Sequence, residues 1–271
     1  PSVVAVIPAR NEADVIAAMM TSLAKQEYPG AFEILLIDDH SDDGTADTAG
    51  SAVDSDRLKV LDAPPLPQGW TGKLAAMNHG IEQARALFPK HSYVLFTDAD
   101  IAHPPDSLRR LVWKAQVENK NLVSLMVRLH CERFWERLLI PAFVFFFQKL
   151  FPFPAVNDDR SAIAAAAGGV MLVRRNALEA AGGLSAIHDK LIDDCALAAL
   201  IKGNGGSIWL GLADQAYSVR PYTGLPDIWR MVARTAYTQL DCAPLKLLGA
   251  ILGMALLYLA GPLIFILAPV H

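Results

Sequence analysis

The stretch Tyr93-Val94-Leu95-Phe96-Thr97-Asp98-Ala99-Asp100 decides the fold. Its apolar run is too short for a helix and is bounded by polar residues, so it reads as a buried strand. Asp98 and Asp100 then stand at the strand's C-terminal end, where open α/β sheets bind their ligands. On an extended segment, carboxylates at i and i+2 point to opposite faces. A turn just after Asp98 lets one reach a sugar hydroxyl and the other a hard divalent cation, which prefers oxygen ligands. The plainer alternative is that Asp98 caps the next helix and Asp100 is solvated.

The same pattern occurs twice upstream. Residues 2–7 are β-branched and apolar, a first strand. Pro8-Ala9-Arg10-Asn11-Glu12 follows, then a helical pattern over 14–26 that Pro29-Gly30 breaks. Residues 32–37 form a second strand, ending in Asp38-Asp39-His40-Ser41-Asp42-Asp43-Gly44-Thr45. Its carboxylates can accept hydrogen bonds from a base or ribose, or simply supply turn and N-cap chemistry. A helix begins near Thr45, and 57–61 reads as a third strand. Strands alternating with helices predict an α/β fold, a mostly parallel sheet with flanking helices. Polar groups from three strand ends then converge on one crevice.

Downstream, a Pro- and Gly-rich loop over 64–72 precedes Lys73-Leu74-Ala75-Ala76-Met77-Asn78. Gly72-Lys73 at a helix start can hold phosphate through backbone N–H groups and an ammonium. It is not a Walker loop, because Leu74 replaces the hydroxyl residue and Pro67 the first glycine. The alternative is a surface lysine on an amphipathic helix. After Asp100 come His103-Pro104-Pro105, a helix over Ser107–Val117 and a strand over 122–127. Gly168-Gly169 inside the apolar run 164–173 implies close approach to the backbone, by a substrate or by a packed helix. Asp193-Asp194 opens another helix, where acidic residues suit the macrodipole or supply a general base. Arg230 and Arg234 share one helix face and can clamp a diphosphate or form a cationic face near a membrane.

Lys and Arg number 24 against 28 Asp and Glu, a net charge of −4, so no general basic surface points to nucleic acid. The 3 cysteines are far apart and form no Cys-x-x-Cys pair, which argues against a zinc site or disulfide framework and fits a reducing compartment. The sequence opens on Pro1, and what precedes it stays open. Hydrophobic residues make up 53% of the chain and concentrate in 138–153 and 247–270. The latter stretch carries no charge and is long enough for one membrane crossing. Pro262 and the glycines within it are tolerated in membrane helices. Arg230, Arg234 and Lys246 on its N-terminal side place the preceding domain in the cytoplasm. The expected organisation is a catalytic domain over 1–241 and a transmembrane segment over 245–270. Residues 138–147 are uncharged but only about half a span. With Phe143, Phe145, Phe146, Phe147, Phe151 and Phe153, the segment 138–154 suits the membrane interface, lining the access path of a lipid acceptor. The alternative is packing inside the domain or against the C-terminal helix.

Taken in order, these blocks resemble the inverting GT-A glycosyltransferases of family 2. Pro8 to Glu12 and Asp38-Asp39-x-Ser41-x-Asp43-Gly44-Thr45 are similar to the family's two nucleotide-binding loops. Gly72-Lys73 through Asn78 resembles its Gly-Lys…Ala-x-Asn block, and Asp98-Ala99-Asp100 its metal motif. The continuation to His103-Pro104-Pro105 is similar to that of polyprenyl-phosphate sugar synthases. Gly168-Gly169…Arg174-Arg175…Gly182-Gly183 resembles the acceptor-side block, and Asp193-Asp194 stands where the second acid is the base. The runs 192–198 and 229–240 resemble the hopene-associated branch found with bacterial hopanoid pathways. Two places depart from the family. Met231 and Thr235 flank Arg234 where processive members carry Gln and Trp, which favours transfer of a single sugar. Ala102 stands where a glutamine reaches the metal in related synthases, so a third protein ligand is not identified.

The resemblance implies a membrane-associated enzyme of the bacterial inner membrane, its catalytic domain facing the cytoplasm. It would move a single sugar from a nucleotide-sugar donor, a UDP-sugar, to a lipid acceptor, with a hopanoid as the candidate. Asp194 would be the general base, with Asp193 beside it. Pro8, Arg10, Glu12, Asp39, Lys73, Asp98 and Arg234 would bind the donor, and Gly168 and Gly169 would border the acceptor. Asp98 and Asp100 would hold a divalent metal, Mn²⁺ or Mg²⁺. Direct attack with one base predicts inversion at the anomeric carbon. A nucleotidyltransferase using the same metal site and a non-catalytic membrane-anchored scaffold are the alternatives.

Overall fold

The computed structural model describes residues 1–53, 56–240 and 242–267. The expected domain end at 241 and the last residues of the expected span, 268–270, lie outside them. Residues Pro1–Thr223 form one compact unit and Gly224–His271 another.

The first unit is built on an eight-stranded sheet of order β3-β2-β1-β4-β7-β6-β8-β5. Its strands are β1 (Val3–Ala9), β2 (Phe32–Asp38), β3 (Leu58–Asp62), β4 (Tyr93–Thr97), β5 (Ile101–Ala102), β6 (Leu122–Arg128), β7 (Val170–Arg174) and β8 (Ile208–Ser218). β1 to β4 run parallel, β7 runs against β4 and β6, and β5 runs against β8. The flanking helices are α1 (Ile16–Ala24), α2 (Thr45–Ala52), α3 (Gly72–Leu87), α4 (Ser107–Val117), α5 (Phe134–Leu150), α6 (Phe153–Asn157), α7 (Arg175–Ala180) and α8 (Asp193–Gly203).

The central strands read as unbroken apolar runs because both faces are covered. In β2, Leu35 and Ile37 enter one core while Ile34 and Leu36 enter the other. The first core lies under α3 and α8, with Leu74, Met77, Ile81, Leu197 and Ile201. The second lies under α1 and α4, with Met19, Met20, Leu23, Leu108, Leu111 and Val112. α3 approaches β1 so closely that a Cβ on Gly80 would come 2.3 Å from Val6 Cγ1. Three layers in this order leave the C-terminal ends of β1, β2 and β4 open at one edge, as the sequence predicts.

Two apolar stretches take forms that the sequence reading leaves open. The run 164–173 is a strand only from Val170. Before it, Ala165 and Ala166 are fully buried in a loop. The Ser124 hydroxyl accepts the Ala167 N–H at 2.8 Å and contacts its carbonyl at 3.1 Å, so a side chain satisfies backbone that a strand would have paired. Residues 138–147 lie inside the longer helix α5, which contains Pro141. Its N-terminus is fixed by the buried Glu136 carboxylate, which accepts the N–H groups of Glu132 and Arg133 at 2.9 and 2.8 Å. The aromatic set divides: Phe145 and Phe146 are exposed, whereas Phe147, Phe151 and Phe153 pack against the first core.

The second unit comprises α9 (Leu225–Gln239) and α10 (Pro244–Leu267). Among the described residues, Pro244–Pro262 is the one helical stretch long and apolar enough to cross a membrane, and none of that window is buried.

Candidate active site

The sheet topology gathers most of the predicted residues at the C-terminal ends of β1, β2 and β4 and at the starts of α3 and α8. At the first two ends, the loops are tied to each other. Asn11 N–H donates to Ser41 Oγ at 2.9 Å and Glu12 N–H to Thr45 Oγ1 at 2.8 Å. Asp43 accepts from Ala13 N–H at 3.0 Å and from the Thr45 hydroxyl at 2.5 Å. Asp43 therefore does turn and cap work. The largely buried Asp39 carboxylate lies 3.5 Å from Arg10 Nη1, and a Cβ on Gly72 would come 3.0 Å from it. Pro8 lies beside them on β1, paired with Ile37.

The turn after β4 forms as its sequence suggests, with Ile101 N–H donating to the Asp98 carbonyl at 3.3 Å. Behind it, Thr97 Oγ1 donates to Gly169 O at 2.8 Å and meets His103 Nε2 at 2.9 Å. Because that hydroxyl has one proton, His103 donates from Nε2. Burial pushes this imidazole down to about 4, so it stays neutral and acts as a strut. Asp98 and Asp100 diverge from this turn. Asp98 Oδ1 lies 2.8 Å from Lys73 Nζ. Asp100 Oδ2 lies 2.5 Å from Ser218 Oγ and 4.0 Å from Arg220 Nε.

Lys73, at the start of α3, also lies 3.2 Å from Asp193 Oδ2. Burial opposes its charge, but Asp98, Asp193 and Asp194 outweigh burial and hold the ammonium above the usual lysine range. Asp194, in the first turn of α8, accepts Gly168 N–H at 2.8 Å and Cys195 N–H at 2.7 Å, one on each oxygen. Burial, with the charge of Asp193 adding to it, pushes Asp194 up to about 6. Gly168 thus borders Asp194 and Lys73, while a Cβ on Gly169 would come 3.0 Å from Val127, a packing position. Arg234 belongs to the other unit, on α9.

Arg220 is the charged residue that the sequence motifs miss. It follows β8, pairs with Glu12 Oε2 and reaches toward Asp100. No motif marks it, and 208 positions separate it from Glu12.

Among the described residues, no group of three or more His, Cys, Asp or Glu forms a ready metal site. Asp98 and Asp100 nevertheless suit a hard divalent ion, since both offer carboxylate oxygens. Burial first, and then the charge of Asp98, raise the Asp100 carboxyl above its usual range. A cation beside the pair would relieve both effects.

Comparison with known proteins agrees with this geometry. The Glycosyl transferase family 2 profile matches residues 4–182. The chain is 30% identical over 201 residues to the beta-monoglucosyldiacylglycerol synthase of Trichormus variabilis, covering 72% of this chain and 40% of that protein. It is 36% identical over 112 residues to the undecaprenyl-phosphate 4-deoxy-4-formamido-L-arabinose transferase of Pseudomonas aeruginosa, covering 41% and 31%. The chain therefore spans well under half the length of these curated relatives. Among solved structures, a mannosyltransferase from Pyrobaculum calidifontis, in complex with GDP-Man and Mn²⁺, superimposes with a TM-score of 0.60 at 21% identity, covering 83% of this chain and 58% of that one. S. aureus TarS 1-349 with UDP-GlcNAc gives 0.56 at 20% identity, covering 83% and 60%. The mostly parallel sheet with flanking helices is thus the GT-A-like fold. With its profile match running from β1 through α7, the chain belongs to glycosyl transferase family 2.

Proposed function

We propose that this chain is a membrane-associated, inverting glycosyltransferase that moves one sugar from a UDP-sugar to a lipid acceptor, with a hopanoid as the candidate. The observation that carries the reading is the juxtaposition of Asp194 with Lys73 and Asp98 at the open edge of the sheet. Relatives named for diacylglycerol and undecaprenyl phosphate support a lipid acceptor. The hopanoid rests on the runs 192–198 and 229–240 alone.

Each Asp194 oxygen accepts one backbone N–H and keeps a second lone pair for an acceptor hydroxyl. A base held near 6 is ionised at neutral pH yet still takes a proton in the transition state. The hydroxyl oxygen attacks the anomeric carbon as Asp194 takes its proton, and the nucleoside diphosphate leaves from the opposite face. Lys73 offers positive charge to that leaving group. A divalent ion held by Asp98 and Asp100 would, when bound, neutralise diphosphate charge. Arg10 and Asp39 lie where a nucleoside can be held. α10 supplies a membrane anchor, and the exposed Phe145 and Phe146 face the lipid interface, with the domain on the cytoplasmic side. Membership of family 2 favours this reading over a nucleotidyltransferase or a scaffold.

The test is transfer of label from UDP-sugars to a lipid extract in the presence of Mn²⁺. A β-linked glycolipid from an α-linked donor is expected. An α-linked product would refute inversion, and release of pyrophosphate instead of UDP would refute glycosyl transfer.

A further inference from the structure

We propose that Trp70 and His188 select the acceptor: the indole holds its hydrocarbon, and His188 Nε2 accepts a hydrogen bond from a second hydroxyl close to the one that Asp194 deprotonates. This rests on the glycosyltransferase reading above and narrows its acceptor to lipids that carry more than one hydroxyl on the head.

Two loops meet beside the base. Residues 64–71 lead into Lys73, and a short 3₁₀ turn over Leu184–Ile187 leads through His188 to Asp193 and Asp194. Thr71 N–H donates to His188 O at 3.0 Å, and Lys73 Nζ lies 3.2 Å from Asp193 Oδ2. These two cross-links hold the loops side by side. Trp70 and His188 flank the outer link, next to the pair that the inner link closes. Their ring centroids are 5.5 Å apart, with the planes tilted by 46°. Trp70 is half-buried and packs on the first core, which fixes the indole.

The histidine has one ring nitrogen to offer. Nδ1 lies 2.9 Å from Ser185 O, and a carbonyl oxygen only accepts, so Nδ1 carries the proton. In the neutral ring Nε2 is then an acceptor. Among the described residues, nothing hydrogen-bonds to it. Gly69 leaves it uncovered: a Cβ there would stand 3.8 Å from Nε2, and the φ of +82° favours glycine in any case. An acceptor nitrogen takes a hydroxyl proton and has nothing to give a diphosphate oxygen.

The surroundings favour the lipid over the nucleoside as the source of that hydroxyl. Leu66 and Leu191, one on each loop, are 56% and 54% exposed. Leu191 stands two residues before Asp193. Apolar surface beside the base gives hydrocarbon a place to rest while a hydroxyl reaches Asp194. A nucleoside needs no such lip, and Arg10 and Asp39 already lie together at the β2 end to hold one.

Transfer of label from UDP-sugars to a lipid extract by the full chain, with Mn²⁺, tests this, with UDP affinity measured in parallel by calorimetry. His188→Phe keeps a ring and loses the acceptor nitrogen. It should raise the extract concentration for half-maximal transfer roughly tenfold and leave UDP affinity within about twofold. His188→Gln, whose amide oxygen accepts, should fall between it and wild type. Trp70→Phe, which trims the apolar face, should raise that concentration about threefold. For wild type, a vicinal dodecanediol should inhibit transfer at roughly a tenth of the concentration that dodecanol requires in the same detergent. If His188→Phe leaves half-saturation unchanged, or if UDP affinity falls by the same factor, the pair does not read the acceptor. A diol no more potent than dodecanol would overturn the second hydroxyl. Wild type that labels no lipid at all would overturn the glycosyltransferase reading, and this inference with it.

Discussion

Gly168 donates its N–H to Asp194 Oδ2 at 2.8 Å, and a Cβ at Gly168 would come 3.3 Å from that oxygen and 3.4 Å from Lys73 Nζ. A glycine and a carboxylate thus share one wall of the crevice, with an ammonium against both. Asp194→Asn keeps the shape and removes the base, so kcat should fall by about 10²–10⁴ with donor binding retained. Asp193→Asn should cost less. Gly168→Ala crowds Asp194 without removing it and should cost about tenfold in kcat. Steady-state kinetics on the three variants checks the ranking, and a larger loss in Asp193→Asn would reverse the assignment.

The same carboxylate sets a pH limit. Burial raises Asp194 to about 6, and only its ionised form takes a proton. Activity should therefore be full above that pH and fall about tenfold per unit below it. A pH profile of kcat/KM that stays flat down to pH 4.5 would remove Asp194 from the base role.

Much of this site is legible in sequence because its pieces are local. Asp98 and Asp100 follow a strand, Asp193 and Asp194 open a helix, and Lys73 starts another. Each is signalled by a change of periodicity at its own position. Arg220 carries no such signal, since its importance comes from Glu12 and Asp100, which only the sheet brings near. The loop over 164–169 is hidden for a related reason. Nothing local in an alanine-rich run reveals that Ser124 satisfies its backbone.

Metal dependence follows from the Asp98–Asp100 pair. Asp100→Ala should abolish most activity and weaken Mn²⁺ binding measured directly by calorimetry, while the domain stays folded because the change lies beyond β4. Excess EDTA should silence the wild-type protein. Full activity in EDTA would overturn the metal's role.

Glu136 ties two distant segments. Its carboxylate accepts from Glu132, Arg133 and Tyr222 N–H groups and pairs with His130 Nδ1 at 2.8 Å. Burial works against its charge, but these bonds win and hold it down to about 2. A folded-state value below the unfolded one means stability present at neutral pH and lost as pH falls through the acid range. Glu136→Gln should cost about 2–3 kcal/mol at pH 7. Thermal melts should show the gap to wild type narrowing as pH approaches about 2. A gap independent of pH would mean that the loss is packing alone.

The membrane reading separates two contributions. α10 supplies a candidate span, so the full chain should stay with membranes through alkaline extraction. A chain ending at Leu240 lacks it and leaves α5 as the contact. Phe145 and Phe146 are exposed and meet edge to face, with ring centroids 5.5 Å apart. Lys149 Nζ lies 5.4 Å from the Phe145 ring, which sets a cation beside the aromatic pair as an anionic lipid surface favours. The shortened chain should bind anionic vesicles weakly in a sedimentation assay. Replacing both Phe145 and Phe146 with Ser should abolish binding and leave Tm unchanged, because neither side chain is buried. Phe147→Ser is the contrasting variant: its ring meets that of Phe151 at a tilt, with centroids 5.3 Å apart, and packs on the first core. It should keep vesicle binding and lose about 2–4 kcal/mol of stability. If the shortened chain ignores vesicles altogether, α5 is not a lipid contact and the acceptor must reach Asp194 by another side of the crevice.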